Sequence, residues 1–318
     1  MTRPKLLCMI DMSLCPEVPG MLSEVADIEY HAAPDRALLL ERIGDAEIYY
    51  GHTDVILDRE IIDRAKKLGV VGAPSTGTDH IDIDLLKQRG IKLIALTHEY
   101  ELLDRFSATA ECGWGLLLAC MRRIPYHHQS VRQGRWAESR HVGNQLGGKT
   151  LGVIGVGRLG KMTVEYGKAF RMRVLGCDPV DFSILGVERV DLDTLLHESD
   201  VISLHLHLHE NTRNLLGRVE FAKMKEGVVI VNTSRGGLID EVAFLEALKS
   251  GKVAAAGADV LCEIDWMEDV TKHPLVQYAQ THDNMIITPH IGGGTVESIA
   301  GARIFIAEKL IDYIKQNF

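Results

Sequence analysis

The stretch Thr150–Phe170, TLGVIGVGRLGKMTVEYGKAF, runs from an apolar strand through a glycine loop into an amphipathic helix. Its glycines are spaced Gly155-x-Gly157-x-x-Gly160. Such spacing is weak evidence alone, but between a strand and a helix start it suits a phosphate held at the helix N-terminus. Gly155 permits the tight turn, Gly157 lets a pyrophosphate approach the main chain, and Gly160 lets helix and strand pack closely. Arg158 and Leu159 complete the expected phosphate-facing turn. The next strand, MRVLGCDP, ends in Asp178. A carboxylate there accepts both ribose hydroxyls and repels a 2′-phosphate, so the expected cofactor is NAD in preference to NADP.

Working outward, alternation continues downstream through SDVISLHLHL, GVVIVNTS, VAAAGADV and MIITPH. With the first two strands this makes a six-strand series, the count of a complete dinucleotide-binding sheet. Upstream, KLLCMI, AEIYYG, VVGAPSTG and IKLIAL read as strands, separated by the helical patterns DREIIDRAKKLG, closed by Gly69, and DIDLLKQRG. Strands alternating with helices imply parallel pairing through crossover helices. A long helical stretch, SATAECGWGLLLACMRRIPYHHQSVRQGRW, bridges the two series, and ESIAGARIFIAEKLIDYIKQNF returns to the first. The predicted fold is α/β, with two doubly wound parallel-sheet (Rossmann-like) domains and a cleft between them. A substrate domain is expected over 1–107 joined by 291–318, and an NAD-binding domain over 108–290.

Composition agrees with a globular chain: 318 residues, 46% hydrophobic and 25% charged. A net charge of -9 and a pI near 5.9 argue against nucleic acid or an anionic membrane as partner. No stretch reaches the roughly 18 apolar residues of a membrane span, and the start reads as no secretory leader. The six cysteines form no C-x-x-C pair, which suggests reduced thiols in the cytoplasm.

The segment Val228–Glu241, VVIVNTSRGGLIDE, sets one arginine just past a buried strand. In a doubly wound sheet, ligands gather at the carboxyl ends of strands. Arg235, Asp259 and His290 all fall at such ends. A guanidinium offers a bidentate fork to a carboxylate, and an imidazole titrating near neutrality can protonate a carbonyl oxygen as hydride arrives. Gly236 and Gly237 leave room for the substrate and for the turn. His205, His207 and His209 would share one strand face, but no carboxylate or thiolate cluster accompanies them, so no metal is expected.

The chain resembles the D-isomer-specific 2-hydroxyacid dehydrogenase family over nearly its whole length. GKTLGVIGVGRLGK, CDP, VVIVNTSRGGLIDE, AGADV and ITPHIGG match the family's signatures in order, and GAPSTGTDHIDID resembles its substrate-domain loop. The resemblance implies that Arg235 binds substrate, that His290 is the acid/base, and that Asp259 holds the nicotinamide carboxamide. It implies substrate contacts from the main chain of Thr76 and Gly77. Cofactor contacts are expected from His205, Thr212, Thr233, Ser234, Gly292 and Gly293. Hinge closure and a homodimer built on the helix after Ser107, with Trp136 reaching toward the partner, are implied as well.

One departure concerns the family's glutamate that pairs with the histidine. Counting without gaps, its position falls on Ile264; Glu263 is one residue early and Asp265 one late. In a loop a bulge can re-aim the side chain. Glu263 is the expected partner, with Asp265 behind it. Cys112 replaces a common histidine and reads as packing. Tyr50 and Ala73 stand where phosphoglycerate dehydrogenases usually carry arginines, and Thr76 where phosphite dehydrogenases carry lysine. The expected substrate is a small monoanionic 2-keto acid, with any tail near Tyr49, Tyr50 or Tyr100. The rival is an NADH-sensing regulatory protein of the same fold.

Overall fold

The computed structural model describes residues 3–53, 55–136 and 142–318. The remainder of the loop expected after Trp136, residues 137–141, lies outside the described residues. The chain divides into two compact units, Met1–Phe106 with Thr295–Phe318, and Ser107–Gly294.

In unit one, β1 (Lys5–Met9), β2 (Asp27–His31), β3 (Ile48–Gly51), β4 (Val70–Ala73) and β5 (Lys92–Ala95) form an all-parallel sheet in the order β2-β1-β3-β4-β5. Strand β2 was not expected: DIEYH carries mostly exposed side chains at the sheet edge. Alternation sends Leu6, Cys8, Ile48 and Tyr50 to one core, where the helix Val296–Asn317 supplies Ile306 and Leu310. Leu7, Met9, Tyr49 and Val71 fill the other. The two tyrosines are therefore core residues rather than a pocket wall. Tyr50 is 0% exposed and its hydroxyl donates to the Arg303 carbonyl at 2.6 Å. The helix expected to close at Gly69 spans only Arg59–Arg64.

In unit two, β6 (Thr150–Ile154), β7 (Arg173–Cys177), β8 (Val187–Arg189), β9 (Val201–Leu204), β10 (Val228–Asn232), β11 (Val253–Ala258) and β12 (Met285–Ile287) form a second all-parallel sheet. The order is β12-β11-β10-β9-β6-β7-β8. The seventh strand, β8, escapes sequence reading because VER is short and polar at an edge. Strands covered on both faces become continuous apolar runs. In β10, Val228 and Ile230 enter one core while Val229 and Val231 enter the other. The long bridging pattern is two helices, Ala108–Arg122 and Ile124–Arg132. Arg123, at φ 53, breaks them just before Pro125, whose ring cannot continue the upstream helix. The first helix lies close on the sheet: a Cβ on Gly257 would stand 2.8 Å from Leu116 Cβ.

Ile230 is 1% exposed among these layers. Replacing it with alanine should cost about 3 kcal/mol, as large-to-small core changes do, read as a lower midpoint in urea denaturation.

Candidate functional site

The glycine loop after β6 has the form a dinucleotide needs. Gly155 has φ +89, and a Cβ there would run into the His205 carbonyl. A Cβ on Gly160 would overlap the Gly155 carbonyl, while Gly157 faces open space. The helix Arg158–Ala169 starts from Gly157 with no side-chain cap, so its first N–H groups suit an anion. Asp178 is bound into the same loop. Its Oδ2 accepts from Val156 N at 2.7 Å and its Oδ1 from Val180 N at 2.8 Å. Open ground at Gly157, an uncapped helix end and a fixed carboxylate beside them fit NAD.

Other residues expected at the cofactor also make contacts within the chain. His205 bonds Ser203 Oγ through Nε2 at 2.9 Å, and its Nδ1 is buried with no partner among the described residues. Burial pushes the imidazole down to about 4, so it stays neutral. Its carbonyl, against Gly155, is what it brings to the loop. Thr212 turns back on its own segment, donating to His207 O at 2.8 Å and accepting from His209 N at 2.9 Å. Strand β9 ends at Leu204, so the three histidines share no strand face.

Arg235 stands at the end of β10, on a turn built by its neighbours. The buried Asn232 side chain donates to Arg235 O at 2.9 Å and accepts from Ser234 N at 3.0 Å. Ser234 Oγ donates to Leu204 O at 2.7 Å, tying the ends of β10 and β9 together. Thr233 is buried. Arg235 Nη1 donates to Ser234 O at 2.7 Å. Packing within the chain also requires the two glycines to be small. A Cβ on Gly236 would overlap the Leu261–Cys262 peptide, and one on Gly237 would stand 3.0 Å from Leu208.

His290 is positioned by Asp259, which is 1% exposed. Its carboxylate accepts from Thr288 Oγ1 at 2.5 Å, Ile291 N at 2.9 Å and Gly292 N at 2.6 Å; its carbonyl accepts from His290 N at 2.9 Å. A Cβ on Gly292 would stand 2.8 Å from Asp259 Oδ2. Asp259, expected at the nicotinamide, thus clamps the loop that carries the histidine. Next to it Gly293 stands near Thr109. His290 is held at φ 52, a left-handed conformation costing roughly 1 kcal/mol or more for such a residue.

The expected partner of His290, Glu263, is not the one in place. His290 Nδ1 meets Asp265 Oδ2 at 2.8 Å. Glu263 adopts a left-handed conformation, φ 57, and starts a single 3-10 turn, Ile264–Trp266. Residues in such a turn rotate by about 120° each, so Glu263 and Asp265 point to different sides. The Asp265 hydrogen bond raises the His290 pKa above its ordinary value; burial opposes this, the Asp265 charge adds to it, and the Arg235 charge lowers it. The arginine is thus near enough to be felt. Sequence reading did not single out Asn232, Thr288, Glu241 or His273. Glu241 Oε1 accepts from Cys262 N at 2.7 Å and Oε2 faces His273 Nε2 at 3.1 Å. In unit one, Thr76 and Gly77 lie on the turn after β4; Thr76 is exposed, and Ser75 Oγ donates to Gly77 O at 2.8 Å. Among the described residues no His/Cys/Asp/Glu cluster suits a metal, and no helix is long and apolar enough to cross a membrane.

Asp265→Asn should bring the His290 pKa back toward its ordinary value, ~6.5, and Glu263→Gln should leave it raised, in an NMR titration of the imidazole.

Residues 114–292 match the family described as D-isomer specific 2-hydroxyacid dehydrogenase, NAD binding domain. The chain is 38% identical over 295 residues to a D-3-phosphoglycerate dehydrogenase of Methanocaldococcus jannaschii, covering 91% of this chain and 54% of that protein. The chain thus spans about half the length of that relative. It is 38% identical over 273 residues to a hydroxypyruvate reductase of Thermotoga maritima, covering 86% of each. Its fold is similar to that of a D-lactate dehydrogenase from Aquifex aeolicus complexed with NAD and lactic acid. There the TM-score is 0.87 and the identity 27%, over 98% of this chain and 96% of that one. The glycine loop, Asp178, the Arg235 turn and the Asp259 clamp all lie inside the matched segment, which is more than half the chain. On that match, the chain belongs to the D-isomer specific 2-hydroxyacid dehydrogenase family.

Proposed function

We propose that this chain is an NAD-dependent oxidoreductase interconverting a small 2-keto acid and the D-2-hydroxy acid. The observation that carries the proposal is the His290–Asp265 pair at 2.8 Å, with the Arg235 charge in range of the same imidazole.

NAD would be held by Gly155, Gly157 and the first turn from Arg158 to Gly160, with Asp178 at the ribose. When bound, its nicotinamide supplies or accepts hydride at the substrate's second carbon. Arg235 binds the carboxylate of the substrate and fixes its orientation. With Nδ1 taken by Asp265, His290 presents Nε2 to the substrate oxygen. In reduction Nε2 gives its proton to the carbonyl oxygen; in oxidation it takes the hydroxyl proton. Asp265 stabilises the imidazolium and fixes its tautomer. In unit one, the Ser75–Gly77 turn is proposed as a carboxylate-binding turn.

The relatives named hydroxypyruvate reductase and D-lactate dehydrogenase support a small substrate. A histidine lacking its carboxylate would have favoured the NADH-sensing alternative, and Asp265 removes that argument. The exposed apolar side chains Ile124, Val131 and Trp136, on and after the helix pair of unit two, support a homodimer. The cysteines are all free thiols, which supports a cytoplasmic setting.

NADH oxidation across glyoxylate, pyruvate, hydroxypyruvate, phenylpyruvate and 3-phosphohydroxypyruvate, with NADPH in parallel, tests the proposal. Turnover with NADH is expected; tight NADH binding with no turnover of any member counts against it. His290→Gln should lower kcat by roughly 100-fold or more. Reduction needs the imidazolium, so kcat/KM should hold below the raised His290 pKa and fall as pH rises through it. Oxidation should rise over the same interval, and Asp265→Asn should move both limbs to lower pH.

A further inference from the structure

Two loops carry the groups assigned above, and they touch at one peptide bond. The Arg235 turn packs its Gly236 main chain against Leu261–Cys262, so closely that no Cβ fits between them. The same peptide begins the loop that leads through Glu263 to Asp265. Its other constraint is Glu241, the first residue of the helix Glu241–Ser250, which follows the arginine turn directly. Glu241 Oε1 accepts from Cys262 N at 2.7 Å.

Glu241 is itself held. His273 is 4% exposed, and its Nε2 lies 3.1 Å from Glu241 Oε2. His273 Nδ1 accepts from Leu275 N at 3.3 Å, capping the helix Pro274–Ala279. With Nδ1 accepting, the ring hydrogen belongs on Nε2, where it donates to the carboxylate. Burial raises the Glu241 pKa, and the Cys262 N–H and His273 hold it back. Glu263 also bears on this carboxylate as a like charge, and burial, followed by the charges of Glu241 and Glu263, pushes the Cys262 thiol up while Arg213 opposes them. Asp265 raises the His290 pKa most, Asp259 adds to it and Arg235 lowers it.

We propose that Glu241, held by His273, is a positioning residue that locks the Leu261–Cys262 peptide against the Arg235 turn and so fixes Asp265 relative to the arginine. The inference rests on the reading of Arg235 and His290 as the reacting groups. Glu241 and His273 act through the loop, by way of the Cys262 amide.

Two substitutions at His273 separate this role from helix capping. An asparagine amide stands near the Nδ1 position, so His273→Asn keeps the cap and loses the donor to Glu241. A glutamine amide reaches the Nε2 position, so His273→Gln keeps the donor and weakens the cap. The formal charge of the pair is unchanged in both. The first readout is the His290 imidazole titration by NMR in the ligand-free chain, with circular dichroism as a folding check. The second is kcat/KM against pH with NADH and the best keto acid of the panel.

His273→Asn should lower the His290 titration midpoint and reduce kcat/KM by roughly ten- to a hundredfold, the scale of a misplaced catalytic group. His273→Gln should stay within about threefold of the starting protein, the scatter expected of a retained contact. The opposite ranking, or a His290 midpoint unmoved in His273→Asn, overturns the positioning role even if turnover is normal. If the midpoint falls while no keto acid is turned over by the unaltered chain, the positioning role stands and the proposed activity fails.

Discussion

A carboxylate that is almost wholly out of water must be surrounded by donors, or its burial costs several kcal/mol. Asp259, at 1% exposure, meets that demand with Thr288, Ile291 and Gly292, all from the segment that carries His290. The need of one buried charge therefore dictates the path of the following loop. It holds His290 in a left-handed backbone that a free loop would abandon, and Gly292 must lack a side chain for the carboxylate to come so near. Remove the demand and the imidazole has no fixed address.

Arg235, Asp265 and His290 are thus placed by contacts between loops at the carboxyl ends of parallel strands. Strands β9, β10, β11 and β12 are neighbours in the sheet, so residues far apart in sequence leave it side by side. The sheet supplies rigidity, with alternate side chains buried on both faces, and the loops supply chemistry. Main-chain packing without side chains, as at Gly236 and Gly155, is what lets these loops lie so close.

Much of this was legible in the sequence. The parallel strands that are buried on both faces announce themselves as apolar runs, and the glycine loop is recognisable from its place between strand and helix. The edge strands β2 and β8 were not, because DIEYH and VER owe their conformation to a neighbour's hydrogen bonds rather than to buried side chains. Arg235, Asp259 and His290 could be placed just past the ends of β10, β11 and β12 because those strands are apolar runs that stop abruptly. The partner of His290 was not, since counting along a chain assumes a regular rise, and a left-handed Glu263 followed by a 3-10 turn breaks it. Tyr49 and Tyr50 misled in the other direction: alternation alone does not tell a core from a pocket wall.

Asp178 does two things at once. By accepting from Val156 N it braces the glycine loop, and the same carboxylate is the one proposed to meet the ribose of NAD. On that proposal, selectivity for the cofactor and the shape of the glycine loop are written in one side chain. Replacing Asp178 with a residue that offers no acceptor would release the Val156 amide and slacken the turn at Gly155. A switch of coenzyme at this position thus needs a replacement that drops the charge and still offers Val156 an acceptor.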